Sequence, residues 1–244
     1  MSGEKTGGGW IVGGLFVSLA TLAAGTRPAS AAVSLGAISQ PTLQLLIDLG
    51  DSGVISNGVQ YYDFSYAATA GAPPVDAVTV QPVGTGDDSG LRFVASWVDD
   101  GGSIDSSTIS FDVTPLDGGS VARLGLTSNG TAPVTAAGTF VTATASAATT
   151  AGTSVGPVVS TYDDGVGLRA DVDSAAATLD APQSLLAVTD TLTAVSSTGG
   201  VATASFVQNG FTITPAELPE PAIGFAVVWV GFGRRSRRSR PASR

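Results

Sequence analysis

From Val59 onward the chain is a succession of short runs in which apolar and polar side chains alternate, broken at spacings of roughly ten residues by Gly, Asp or Asn. A period of two sends successive side chains to opposite faces of a pleated strand, so each run predicts a strand with one buried face. The run 59–67 places Tyr62, Phe64 and Tyr66 on one face, and residues 78–81 follow after the Pro73-Pro74 break. Leu91, Phe93, Ala95 and Trp97 alternate with Arg92, Val94, Ser96 and Val98. Ile109, Phe111 and Val113 alternate with Ser110 and Asp112, and Pro115 closes that strand. Ala122, Leu124 and Leu126 share a face, after which Asn129-Gly130 reads as a turn. The Ala/Thr/Ser tract 135–154 reads as a strand rather than a linker, because Phe140 and Val141 sit in a Thr/Ala alternation. Asp163-Asp164-Gly165, between apolar runs 155–162 and 166–172, has the chemistry of a hairpin turn. The last two strands, 184–195 and 201–211, are joined across 196–200. One short helix is expected over 41–49, with Leu45, Leu46 and Leu49 on one side.

About ten strands with turn residues between them predict an all-β fold, a single antiparallel β-sandwich or jelly-roll-like domain. Both ends of the chain depart from this pattern. Lys5 and the free amine precede an apolar stretch, 10–24, of signal-peptide length and too short to span a bilayer well. Ala29-Ser30-Ala31 then supplies small residues at the −3 and −1 positions, so cleavage is expected after Ala31. At the other end, Pro219-Glu220-Pro221 leads into an apolar run, 222–233, and then into an arginine cluster. The expected organisation is a signal peptide over 1–31, the sandwich over 32–216 and a C-terminal signal over 217–244.

Composition narrows the chemistry. Cysteine and histidine are both absent, which removes disulfides, Ser-His-Asp and Cys-His catalysis, and ordinary zinc and haem sites. Between the two terminal signals the cations are Arg92, Arg123 and Arg169, set against many aspartates. So acidic a body repels nucleic acid, and nucleic-acid binding is not expected.

The order Pro219-Glu220-Pro221, apolar run, Arg-rich tail resembles the PEP-CTERM sorting signal of Gram-negative bacteria, whose bearers also carry an N-terminal signal peptide. The segment 43–63, the Gly90-Leu91-Arg92-Phe93 run before Trp97, and residues 109–113 resemble β-rich bodies that recur upstream of that signal. The resemblance implies handling by signal peptidase and by an exosortase, a membrane-embedded processing enzyme that acts near the Pro-Glu-Pro. It implies substrates associated with exopolysaccharide and biofilm. Arg234, Arg235, Arg237, Arg238 and Arg240 act as stop-transfer in that reading and stay cytoplasmic while the acidic body is translocated. The apolar run, about 18 Å as a helix, is short for a bilayer core of about 30 Å, so inner-membrane association is expected to be transient. The chain would then reside in the envelope, at the cell surface or outside the cell.

No catalytic constellation or cofactor site is expected. The acidic doublets Asp87-Asp88, Asp99-Asp100 and Asp163-Asp164, each near glycine, suit either turns or loose calcium sites. The leading expectation is an exported structural or interaction protein of the envelope or extracellular matrix, with exopolysaccharide as a possible partner. A carbohydrate-binding module is the alternative; sugars would stack on exposed rings, for which the alternation leaves Tyr61 and Tyr162. A secreted glycan hydrolase working through two carboxylates is a more distant one.

Overall fold

The computed structural model describes residues 31–101, 104–132, 138–163 and 172–216. Ala31 is exposed at the start of that range; Ala29, Pro219, Glu220, Pro221 and the arginines of the tail lie outside it. The described residues form a sandwich of two largely antiparallel sheets, as the alternation predicts. In chain order the strands are β1 (Val33–Ser34), β2 (Val54–Ser56), β3 (Val59–Ala68), β4 (Thr79–Val83), β5 (Asp88–Asp99), β6 (Ile104–Pro115), β7 (Ser120–Thr131), β8 (Phe140–Ala148), β9 (Val159–Asp163), β10 (Val172–Gln183), β11 (Leu186–Val195) and β12 (Ala202–Thr214). One sheet runs β1-β2-β3-β6-β11-β8-β9, the other β10-β7-β12-β5-β4.

The inner faces meet in a graded core. At one side Tyr61, Phe64, Phe93, Phe111 and Phe211 form a ring cluster with centroids 5.5 to 6.4 Å apart. On β8, at the far side of the larger sheet, the inward positions are Val141, Ala143, Ala145 and Ala147, and the sheets approach closely. A Cβ on Gly130 of β7 would stand 2.8 Å from that of Val141. Trp97 is buried and donates from Nε1 to Ser107 Oγ at 2.8 Å.

Helix α1 (Leu43–Leu49) is capped by Thr42, whose hydroxyl accepts from the Leu45 N–H. Its buried side carries Leu43 and Leu46. Leu45 is 39% exposed, so the expected Leu45/Leu46/Leu49 face is rotated toward the N-terminus. The reason is attachment: Leu43 N–H donates to Val78 O and Val80 N–H to Pro41 O, which tie the helix start to the β4 segment.

Four further expectations are corrected. In β3, Asp63 adopts φ 53° and the register to β6 shifts between Tyr62 and Ser65. This bulge turns Tyr61 and Phe64 both inward and leaves Tyr62 and Tyr66 only partly buried, where unbroken alternation would face Tyr62, Phe64 and Tyr66 to the core. At the start of β7 another register irregularity buries Val121 in place of Ala122. Asn129-Gly130 is not a turn but lies inside β7. There the Asn129 side chain caps a bulge of β12, its Oδ1 accepting from Ser205 N–H (3.0 Å) and Phe206 N–H (2.9 Å). Finally, β9 and β10 belong to different sheets and do not pair as a hairpin; Asp164, Gly165 and residues 166–171 lie outside the described residues.

Candidate functional site

The outer face of the smaller sheet carries a groove of about 450 Å³. Its floor follows from strand register. Ala176 of β10 stands opposite Gly125 of β7, Gly125 opposite Gly210 of β12, and Gly210 opposite Gly90 of β5. Three strands, β10, β7 and β12, therefore present one methyl and two hydrogens in a row where other rows present full side chains, while Gly90 on β5 is buried and a Cβ there would meet Asn209 O at 2.0 Å. Gly90 lies under the Val83 side chain, which closes that end. Glycine inside a strand weakens it and commonly marks close approach of another molecule or backbone. Gly125 and Gly210 have no such steric need: a Cβ on Gly210 would meet nothing within 4 Å, and one on Gly125 only ordinary contacts.

The walls are polar and in register as well. Two residues along the strands on one side stand Arg123, Thr212 and Asp88; on the other stand Ser174, Thr127 and Gln208. Thr212 Oγ1 donates to Asp88 Oδ1 at 3.0 Å, which fixes the carboxylate. Gln208 Oε1 accepts from Arg92 Nε at 2.8 Å, and the Arg92 guanidinium lies 4.6 Å over the Phe206 ring. Wall to wall spans four residues of strand, about 13 Å between Cα atoms, and the three-strand row is about 10 Å long. The result is an open trench across the strands, lined by hydroxyl, amide, carboxylate and guanidinium groups. It can hold an extended polyhydroxylated chain by hydrogen bonds. Arg92 and Arg123, the cations among the described residues, both stand on this face.

Directly behind the floor sits a buried polar pair, one member of which is ionisable. Asp190 of β11 and Asn209 of β12 meet across the two sheets, both 0% exposed, with Asn209 Nδ2 donating to Asp190 Oδ1 at 2.9 Å. Asp190 Oδ2 and Asn209 Oδ1 have no hydrogen-bond partner. Burial pushes the Asp190 carboxyl up to about 7, partly offset by the Asn209 amide.

The rings expected to stack sugars are separated by the fold. Tyr61 is wholly buried and shares a 2.7 Å hydrogen bond with Ser89 Oγ; burial drives its phenol well above the usual value. Tyr162 is 50% exposed and packs on Phe140, centroids 5.5 Å apart, but on the other sheet. Of the acidic doublets, Asp99 is used by the backbone: its Oδ1 accepts from Gly101 N–H at 3.2 Å and its Oδ2 from Ser196 N–H at 2.7 Å. Asp88 belongs to the groove wall, and Asp163-Asp164 lies at the edge of the described residues. Among the described residues no three acidic side chains come together as a metal site.

Sequence reasoning did not find the groove residues Gly125, Gly210, Arg123 and Gln208. The available signal was glycine interrupting two well-patterned strands, at Leu124-Gly125-Leu126 and Asn209-Gly210-Phe211. That two such glycines stand side by side is a matter of register, which one strand read alone does not carry.

No protein-family model matches the chain, and no curated protein matches it. Among solved structures the fold is similar to TmCBM61 in complex with β-1,4-galactotriose, at 12% identity and TM-score 0.32, over 60% of this chain and 86% of that one. It is similar to a structure described for the promiscuous specificity of carbohydrate-binding modules of the β-sandwich superfamily, at 15% identity and TM-score 0.28, over 62% of this chain and 55% of that one. It is also similar to the Arthrobacter globiformis T6 isomalto-dextranase complexed with panose, at 15% identity and TM-score 0.27, over 64% of this chain and 24% of that one. At these values the likeness is one of β-sandwich architecture, and what those proteins bind or cleave stays with them.

Proposed function

We propose that this protein is an exported glycan-binding module, which holds an extended polysaccharide in the glycine-floored groove and serves in the envelope or extracellular matrix. The observation that carries the reading is the register itself: two glycines and an alanine in line across three strands, between two rows of polar side chains. A row without side chains gives up packing and strand propensity, and the space it opens is long, shallow and hydrogen-bonding. Compact ligands need enclosure, whereas a polymer can lie along an open trench.

The terminal segments support the location. The apolar stretch before Ala29 and Ala31 fits a secretory signal, and Pro219-Glu220-Pro221, the apolar run and the arginine cluster fit a PEP-CTERM-like signal read by an exosortase-type enzyme. Replacing the three motif residues with alanine is expected to leave an unprocessed, membrane-associated precursor in the native host. Unchanged processing and location would overturn the sorting part of the proposal.

The binding part is tested by filling the trench. Gly210→Phe adds a ring where a Cβ meets open space at an ordinary φ, so the sandwich is expected to fold and melt as before. Glycan-array and calorimetric binding is expected to fall at least tenfold in this variant. Full binding by a folded Gly210→Phe protein, or no polysaccharide bound by the parent chain, would overturn the reading.

A further inference from the structure

We infer that the groove is specific for an acidic polysaccharide, with Arg123 as the residue that recognises the sugar carboxylate; this rests on the glycan-binding reading above. The argument starts from scarcity. In a body dominated by aspartate, the described residues hold two cations, and both stand on the same sheet face within four strands of each other. Arg92 is engaged: its Nε donates to Gln208 and its guanidinium covers Phe206, so it stiffens the wall. Arg123 differs. It lines the groove, and among the described residues no hydrogen-bond or ion-pair partner holds its guanidinium.

Unpaired arginine in an acidic domain is a matched receptor for a carboxylate. The planar fork donates two parallel hydrogen bonds to both carboxylate oxygens, and such charge-assisted bonds exceed neutral ones in strength. The nearest wall carboxylate, Asp88, lies two strands away, about 10 Å between Cα atoms, and one of its oxygens already accepts from Thr212. It is placed to accept from a sugar hydroxyl while Arg123 takes the acid. Thr127 and Gln208 on the opposite wall add neutral hydrogen bonds that suit hydroxyls. Carboxylate on one wall and hydroxyls on the other is the pattern of a uronic-acid residue in a chain. The surrounding aspartates disfavour docking of an anionic polymer elsewhere on the body, which confines the contact to the face that carries Arg123 and Arg92.

The test compares polymers that share a backbone and differ in charge: polygalacturonate and alginate against their uncharged esterified forms, titrated calorimetrically into the full chain. The acidic forms are expected to bind at least tenfold more tightly, with a preference that shrinks as salt rises. Arg123→Gln is expected to weaken the acidic polymers at least tenfold more than the neutral ones, abolishing the preference, and Arg123→Lys to restore part of it. Equal affinity for charged and esterified polymers, or an Arg123→Gln loss common to both, would overturn the inference. If neutral glycans bind and Gly210→Phe removes them while no acid preference exists, the groove reading stands and the uronate inference alone falls. If no charged or neutral polymer binds, both fall.

Discussion

Asp190 is the residue whose chemistry is most exposed to a direct test. Its sheet neighbours are Ile109 and Ala145, and the Asn209 it faces is flanked by Leu91 and Leu126. The other carboxylates buried in the described residues, Asp105 and Asp99, lie toward the opposite end of the strands. A proton on Asp190 Oδ2 supplies the donor that Asn209 Oδ1 lacks, and both orphaned atoms are then satisfied at once. Because the folded carboxyl is raised from 3.8 to about 7, the folded state holds a proton that the unfolded state has lost throughout that window. The stabilisation is therefore complete below the ordinary aspartate value and is lost as pH rises toward 7, a fall on the order of 4 kcal/mol. Denaturant melts at stepped pH are expected to show that slope, and Asp190→Asn, which offers a second amide at any pH, is expected to flatten it. A parent protein whose stability rose between pH 4 and 7 would contradict this assignment.

Among the elements, β3 carries the sharpest lesson about what patterning can and cannot say. The period of two located most of the strands, but not β10 (Val172–Gln183), which lies between the expected runs 166–172 and 184–195; it placed Phe93, Trp97, Phe111 and Leu124 in the core, where they are. It failed on Tyr61 because one residue, Asp63, leaves the extended region and resets the parity of all that precedes it relative to all that follows. Aspartate tolerates that conformation better than most side chains, but nothing in a Tyr-Tyr-Asp-Phe run announces it. Substitution separates the cause. Asp63→Gly is expected to be at least as stable as the parent, since glycine accepts the positive φ and the strain of two close carboxylates, Asp51 and Asp63, is relieved. Asp63→Val is expected to cost about 1 to 2 kcal/mol in chemical denaturation. The groove was illegible for a related reason. Gly125 and Gly210 are each visible as breaks in their own strand, yet the trench exists only once β7 and β12 are paired in one particular register.

At the level of the complete sandwich, the decisive fact is the position of the last strand. β12 lies between β7 and β5, so it joins β10-β7 to β5-β4 and alone makes them one sheet. Ending the chain before Ala202 is expected to abolish cooperative unfolding and expose apolar surface to a hydrophobic dye, although every other strand is retained. Dye exclusion and a sharp transition in that truncation would refute the dependence. The pairings it closes are remote in sequence, Gln208 with Arg92 and Gly210 with Gly90, and distant pairings fold slowly. There is a temporal reading of this arrangement. In a chain emerging from its N-terminus the strands of the larger sheet all precede β12, but the smaller sheet stays in two separate halves, β10-β7 and β5-β4, until that final strand arrives. The same strand brings Gly210 and Gln208, and with them the trench. On the proposed reading, an exported chain would therefore gain its glycan-binding face only with its last strand, once it is no longer a pliable thread.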